Sequence, residues 1–142
     1  MSVCVDASVL IHWLVPQQLE PTAYELMDGW IEDGEEIVGP ALLLSEVVSV
    51  LRRQVHRGVL DAEDADRMVW LVLRLGIRRV DNVMLYRRAY EIATRYGHSR
   101  AYDAHYVAAA EQEGCQLWTA DRALFESLRT DHPKVWHVSR RP

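Results

Sequence analysis

Four carboxylates in this 142-residue chain each lie beside residues that are typical of a protein interior. One follows the apolar run Val3-Cys4-Val5, and another follows Leu117-Trp118-Thr119 by two positions. A third lies among leucine and valine, and the fourth is near the start of the helix-like run SRAYDAHYVAAAE. They are Asp6, Asp121, Glu46 and Asp103. Because an unpartnered charge removed from water is costly or neutralises by a pKa shift, these acids require partners.

Shared chemistry would explain why all four are present. At separations of about 5 to 8 Å and an effective dielectric of about 20, each pair of ionised carboxylates repels by about 2 to 3 kcal/mol. Protons, arginines or metal ions must offset that repulsion. A set made only of oxygen ligands suits Mg²⁺ or Mn²⁺, which also bind phosphate oxygens and activate water. The residue types therefore indicate metal-assisted hydrolysis of a phosphate ester.

Each acid also has a simpler explanation. Asp6 and Asp121 each precede a predicted helix and could serve as N-caps. Asp103 could complement a helix dipole from the first turn. Glu46 is harder to explain in this way, because its helical neighbours Leu42 and Val50 are apolar. These alternatives remain open from sequence alone.

Five short β-rich stretches alternate with helical patterns. Gly58, Gly76, Gly97 and Gly114 each follow an amphipathic stretch, as expected of helix C-caps, and Asp61 is a predicted N-cap. The predicted strands span residues 3–5, 37–39, 77–80, 116–119 and 135–138, the last at a sheet edge. The first predicted helix spans residues 8–14 and continues past Pro16, and the second spans 41–57 and is opened by Pro40. The others span 61–73, 82–96, 99–111 with an extension to Gly114, and 122–128.

This alternation predicts an α/β fold with three layers, α/β/α, around a mostly parallel sheet of about five short strands. In such sheets ligands bind beyond the carboxyl ends of the strands, at a topological switch point. Asp6 and Asp121 follow strands at that edge, and Asp103 is at the start of a helix that returns to it. Glu46 lies near the second turn of its helix, about 9 Å along the axis. We therefore expect the four acids at one edge.

Composition indicates one globular domain over residues 1–142, since 49% of residues are hydrophobic and no linker divides the chain. The N-terminal stretch resembles neither a leader nor a membrane span, which predicts a cytoplasmic protein without a membrane partner. Cys4 and Cys115 have no metal-ligand spacing and are predicted core residues. The net charge of −5 disfavours nucleic acid, although fifteen of the sixteen basic residues are arginine and occur in clusters.

Four segments in order resemble the PIN-domain ribonucleases, most closely the small VapC-like toxins of prokaryotic toxin–antitoxin pairs. They are VDASVLIHWL with Asp6, PALLLSEVVSVLRR with Glu46, SRAYDAHYVAAAE with Asp103 and QLWTADRAL with Asp121. The pattern Tyr-Asp-Ala-x-Tyr, followed by Thr-Ala-Asp, is characteristic of the family. One departure is Ser49, where many members have asparagine three residues after the glutamate.

The resemblance implies Mg²⁺- or Mn²⁺-dependent cleavage of RNA that leaves a 3′-hydroxyl and a 5′-phosphate. Asp6, Asp103 and Asp121 are then expected as metal ligands, and Glu46 as a ligand or a base that orients water. Ser8 and Thr119 are expected to support these ligands by hydrogen bonds. The candidates for RNA contacts are Arg100, Arg122, Arg52 and Arg53. The nearby histidines, His98 and His105, are predicted to be structural.

The same resemblance implies a small VapB-like antitoxin as partner and a homodimer, with Trp13, Trp30 and Trp70 as candidates for an apolar interface. A haloacid-dehalogenase phosphatase would need aspartate where Ser8 stands, and a flavodoxin-like module would need a glycine-rich loop after the first strand. A receiver domain would need paired acids at that place. The remaining alternative is a non-catalytic PIN-fold module that binds RNA or protein.

Overall fold

The computed structural model of the chain describes residues 1–15, 20–97, 101–132 and 134–139. Within these ranges five strands alternate with seven helices. The strands are β1 (Ser2–Val5), β2 (Glu36–Pro40), β3 (Arg78–Val80), β4 (Gln116–Thr119) and β5 (Val135–His137). The helices are α1 (Ala7–Leu14), α2 (Pro21–Glu32), α3 (Leu42–His56), α4 (Ala62–Arg74), α5 (Val83–Arg95), α6 (Tyr102–Glu113) and α7 (Arg122–Leu128).

The strands form one sheet in the order β3-β2-β1-β4-β5, and every neighbouring pair is parallel. Strand β1 lies at the centre, where Cys4 is opposite Val38 of β2 on one side and Leu117 of β4 on the other. The chain builds the sheet outward from β1 in both directions, so the switch point lies between β1 and β4. The predicted α/β class is confirmed, with β5 at an edge.

Helices cover both faces of the sheet and produce the predicted three-layer arrangement. Helix α1 packs against α3, and α5 packs against α6. Alanines line the buried side of α6, among them Ala108 and Ala109, and this helix contacts β1 and β2. Small side chains allow close approach of a helix to a sheet, which fixes where the start of α6 lies. Helix α6 ends at Gly114, whose φ of 66° confirms the predicted glycine cap.

Two predicted helix boundaries were wrong, both at prolines. The first helix does not continue past Pro16: it ends at Leu14, and Val15 is extended, as the residue before a proline prefers. A separate helix, α2, then begins at Pro21. Pro40 does not open α3 but is the last residue of β2, in register with Val80. Helix α3 begins two residues later, at Leu42.

The expected exposure of three tryptophans is only partly correct. Trp70 is 54% exposed, with the Arg74 guanidinium 5.5 Å from its ring centre. Trp30 instead packs edge-on against Trp118, and the Trp13 indole donates a hydrogen bond of 2.9 Å to Asp28. Trp30 and Asp28 both belong to helix α2, which the sequence pattern did not separate. Both cysteines are free and buried as predicted, and none of the described helices combines the length and apolarity that spanning a membrane needs.

Candidate active site

Asp6 is the buried centre of a hydrogen-bond network at the carboxyl end of β1. Its side chain is 5% exposed, and its Oδ1 accepts hydrogen bonds from the Val9 amide at 3.2 Å and the Ser8 hydroxyl at 2.5 Å. The Thr119 hydroxyl donates a short hydrogen bond to Oδ2. Asp6 therefore caps α1, as the simpler explanation proposed, and is also held by two hydroxyls.

The two hydroxyls are themselves oriented by backbone amides of the chain that follows β4. The Ala120 amide donates to Ser8 Oγ at 2.8 Å, and the Asp121 amide donates to Thr119 Oγ1 at 2.9 Å. Because each hydroxyl oxygen already accepts a bond, its single proton is directed to the Asp6 carboxylate. The network ties the ends of β1 and β4 together and holds both Asp6 oxygens.

Asp121 lies next to Asp6 across the switch point. Its Oδ1 accepts a hydrogen bond of 3.0 Å from the Leu124 amide, so Asp121 caps α7 as its simpler explanation proposed. Its side chain is exposed, and its charge raises the pKa of Asp6. Capping therefore fixes the orientation of this carboxylate while leaving the residue accessible to a ligand from solvent.

Glu46 and Asp103 line a cavity of about 540 Å³ between α3 and α6. Glu46 is half-buried on α3, and Asp103 lies in the first turn of α6. Asp103 itself is exposed, although Val107, one turn further along the helix, is buried. The buried side of α6 is formed by its neighbours Ala104 and Val107, and the carboxylate lies on the side that faces the cavity.

Two of the four acids, Asp6 and Glu46, have raised pKa values. Burial is the main cause that raises the pKa of Asp6 from 3.8 to about 6, against the lowering effect of its three hydrogen bonds. Burial also raises the pKa of Glu46, and the charges of Asp103 and Asp6 add to the increase. These shifts link the four acids electrostatically, from Asp121 through Asp6 and Glu46 to Asp103.

The acids do not form one preassembled cage. The charge of Asp121 acts on Asp6 at the end of β1, and the charge of Asp103 acts on Glu46 in the cavity, with a weaker contribution from Asp6. In the part of the chain that the structure describes, no three carboxylate, imidazole or thiol groups are close enough to hold one ion as they stand. Repulsion between like charges favours such a separation.

Tyr106 is a site residue to which the sequence assigned no role, although it belongs to the Tyr-Asp-Ala-x-Tyr pattern. Its side chain is 1% exposed, and Glu46 is the carboxylate that acts on it most strongly, raising the pKa of the phenol together with burial. Its hydroxyl makes no well-formed hydrogen bond to any described residue, so the contact with Glu46 is long or bent. The sequence feature that could have identified Tyr106 is its position one turn after Asp103 in an alanine-rich helix.

The predicted RNA-contacting arginines differ in their position. Arg53 lines the acid cavity together with Ser49, the residue that replaces the more common asparagine. Arg52 and Arg122 are exposed, and neither is among the residues that line it. Arg100 and His98 lie outside the described residues.

A second cavity, of about 320 Å³, adjoins the acid cavity and was not predicted from the sequence. Leu42, Ser45 and Tyr102 line both. The second cavity is also lined by Tyr86 and His105, which come from α5 and α6. The sequence did not indicate this grouping, because Tyr86 is on a different helix from Tyr102 and His105.

The fold and the site together define the class of this protein. Its parallel sheet is covered by helices on both faces and has carboxylates at its switch point. The sequence profile of the PIN domain matches residues 3–129, a span that contains all four acids. The chain therefore belongs to the PIN-domain family.

Within that family its relatives are VapC proteins. The chain is 38% identical over 99 residues to Ribonuclease VapC9 of Mycobacterium tuberculosis. The aligned region covers 70% of this chain and 76% of that protein. It is 30% identical over 132 residues to Ribonuclease VapC3 of Pyrobaculum aerophilum, covering 90% and 95% of the two chains. The predicted resemblance to VapC-like proteins is confirmed.

Solved structures support the fold. PAE2754 from Pyrobaculum aerophilum superposes with a TM-score of 0.71 at 23% identity, covering 98% of this chain and 90% of that one. The structure of FitAB bound to an IR36 DNA fragment gives 0.67 at 19% identity, covering 99% and 97%. At these identities the superpositions show the three-layer architecture alone.

Replacing Asp6 with asparagine should stabilise the metal-free protein at neutral pH. The pKa of Asp6 is higher in the folded protein, about 6, than the unfolded value of 3.8, so stability falls as pH rises through this interval. Asp6→Asn keeps the shape and the cap but carries no charge. In urea unfolding with chelator present, the variant should be more stable than the natural protein by up to about 3 kcal/mol at about pH 7.5. The two should not differ at about pH 3.

The exposed Asp66→Asn on α4 provides the matched control and should leave the difference near zero at both pH values. If Asp6→Asn were less stable than the natural protein at neutral pH in chelator, the hydrogen bonds would outweigh burial, and the assigned electrostatic cost would be wrong.

Proposed function

We propose that this protein is a divalent-metal-dependent endoribonuclease that acts as the toxin of a toxin–antitoxin pair. The observation that carries the proposal is the buried Asp6, held by Ser8 and Thr119 beside Asp121, with Glu46 and Asp103 lining the adjoining cavity. The relatives named ribonuclease support the same reaction class.

The donor set fits Mg²⁺ or Mn²⁺. All four side chains offer carboxylate oxygens, the ligands that these hard cations prefer. The raised pKa values of Asp6 and Glu46 are those of acids whose charge is not fully compensated within the protein. A divalent cation would supply the missing positive charge. The exposed Asp103 and Asp121 leave the site open to both ion and phosphate.

We assign a separate role in catalysis to each of the site residues. Asp6, Asp103 and Asp121 would hold the ion, and Glu46 would bind it or accept a proton from the attacking water. When bound, such an ion withdraws charge from a phosphodiester and lowers the pKa of water. Asp6 is kept in one orientation by the hydroxyls of Ser8 and Thr119, so that ion and phosphate meet a preorganised carboxylate. Attack by water leaves a 3′-hydroxyl and a 5′-phosphate.

Arginines near the site supply the local attraction that the net charge of −5 does not. Arg53 lines the acid cavity and is placed to contact a phosphate bound there. Arg52 directly precedes Arg53 on the same helix, and Arg122 begins α7 directly after Asp121, so both are close in the chain to site residues. We assign these three as RNA contacts, with Arg53 the foremost.

Replacing Asp103 with asparagine should abolish metal-dependent RNA cleavage. The natural protein with Mg²⁺ or Mn²⁺ should cut structured RNAs and lose activity in chelator. Because loss of a residue that merely supports a metal ligand costs about 10- to 100-fold, loss of the ligand itself should cost at least about 100-fold. Asp66→Asn on the exposed side of α4 should remain active. Cleavage without metal, or full activity of Asp103→Asn, would refute the mechanism, and tight RNA binding without cleavage would favour the non-catalytic module.

Metal binding should also stabilise the fold, independently of any RNA. At about 100 times its dissociation constant, Mg²⁺ should add about 3 kcal/mol to the free energy of unfolding. Thermal unfolding with increasing Mg²⁺ measures this, and Asp103→Asn should show a smaller gain. An unchanged melting temperature at millimolar Mg²⁺ and Mn²⁺ would mean that the acids are compensated inside the protein.

The toxin role can be tested in cells. Induced expression should arrest growth, Asp103→Asn at equal protein level should not, and co-expression of the neighbouring short reading frame should restore growth if it encodes a VapB-like antitoxin. The homodimer and the cytoplasmic location expected of this class remain part of the proposal. Normal growth throughout induction of soluble natural protein would argue against a toxin.

A further inference from the structure

The cavity next to the acids has the features of a site for a flat ring. It has a volume of about 320 Å³, within the range of small-molecule sites, and is lined by Tyr86, Tyr102 and His105. Because it shares Leu42, Ser45 and Tyr102 with the acid cavity, the two adjoin, and we refer to them together as the groove.

Hydrogen bonds hold two of these rings in place. Tyr86 and His105 meet edge-to-face with ring centres 5.6 Å apart. The Tyr86 hydroxyl donates to Asp81 at 2.6 Å, and His105 Nδ1 lies 2.6 Å from the Ala101 carbonyl oxygen. Both polar ends are thus anchored, while Tyr86 is still 49% exposed. A ring in a fixed orientation loses little entropy when another ring packs on it.

Charge separates the two parts of the groove. The acid part is lined by Glu46, Asp103 and Arg53, which suits an ion and a phosphate. Among the described residues that line the aromatic part, none carries a permanent charge. An uncharged, flat group is therefore favoured there, directly beside the place where a phosphate would bind. Tyr102, which is 57% exposed, immediately precedes Asp103 in the chain and joins the two parts.

We propose that Tyr86, Tyr102 and His105 form a stacking site for one unpaired nucleobase next to the phosphate that is cut. This inference rests on the proposed ribonuclease function. Stacking on aromatic side chains requires a base that has left its helix, so the site would select loops or single strands over duplex RNA. Stacking accepts any base, which makes the site a selector of RNA structure more than of sequence.

The test measures stacking directly, in full-length Asp103→Asn protein with Mg²⁺ so that RNA is bound but not cut. A short single-stranded RNA carrying one 2-aminopurine should lose fluorescence on binding when that base lies beside the cut position. Tyr86→Leu and Tyr102→Leu, each added to this background, should abolish the quenching and weaken binding by about 5- to 100-fold. Tyr86→Phe and Tyr102→Phe keep the ring and should retain both.

Tyr90→Leu is the matched control, because Tyr90 is a 68% exposed tyrosine on the same helix as Tyr86 and is not among the cavity residues. It should leave quenching and affinity unchanged. A duplex form of the same RNA should bind more weakly than the single strand, and equal binding of the two would overturn the proposal.

Three further outcomes would overturn the stacking site. The first is unchanged quenching and affinity in both leucine variants. The second is altered sedimentation of these variants with unchanged RNA affinity, which would assign the surface to contact between copies of the chain. The third is metal-dependent cleavage with natural KM and kcat in Tyr86→Leu and Tyr102→Leu, which would leave the nuclease function intact. A natural protein that neither binds nor cleaves RNA would overturn both proposals.

Discussion

The structure depends on how one buried carboxylate is held at the centre of a parallel sheet. Asp6 directly follows β1, the strand from which the sheet grows in both directions. It accepts hydrogen bonds from Ser8, Val9 and Thr119. The hydroxyls that satisfy it are oriented by amides that follow β4. The same contacts therefore close the switch point of the sheet and fix the orientation of the acid. Even so, these bonds do not offset burial, because the pKa of Asp6 is raised to about 6.

The helices bring further negative charge to this edge at the expense of stability. Helices α3 and α6 carry Glu46 and Asp103 into one cavity, and the alanines of α6 permit its close contact with the sheet. Burial raises the pKa of Glu46, and the charges of Asp103 and Asp6 raise it further. An arrangement that repels itself in the absence of a cation is typical of sites whose chemistry needs one, since stability and function place opposite demands on the same residues.

The groove combines two environments that suit the two parts of a nucleotide. Carboxylates and Arg53 form one part, and the aromatic rings of Tyr86, Tyr102 and His105 form the other. A protein with a net charge of −5 gains little from long-range attraction to RNA. Under the proposed function, its affinity for RNA would come from short-range contacts at the site itself: a bound cation, a nearby guanidinium and a stacked base. This division explains how an acidic protein could act on a polyanion.

The sequence by itself determined the class of fold, the strand ends at which Asp6 and Asp121 stand, the glycine caps and the order of the four acids, because each depends on neighbours in the chain. It misjudged the helix boundaries at Pro16 and Pro40, where proline is compatible with more than one local structure. Only the tertiary structure decided that Asp103 is exposed, that no three of the described acidic, imidazole or thiol groups stand close enough to hold one ion, and that Tyr86 meets His105. Burial, charge repulsion and ring contacts each depend on residues that are distant in the chain, so a local sequence pattern does not reveal them.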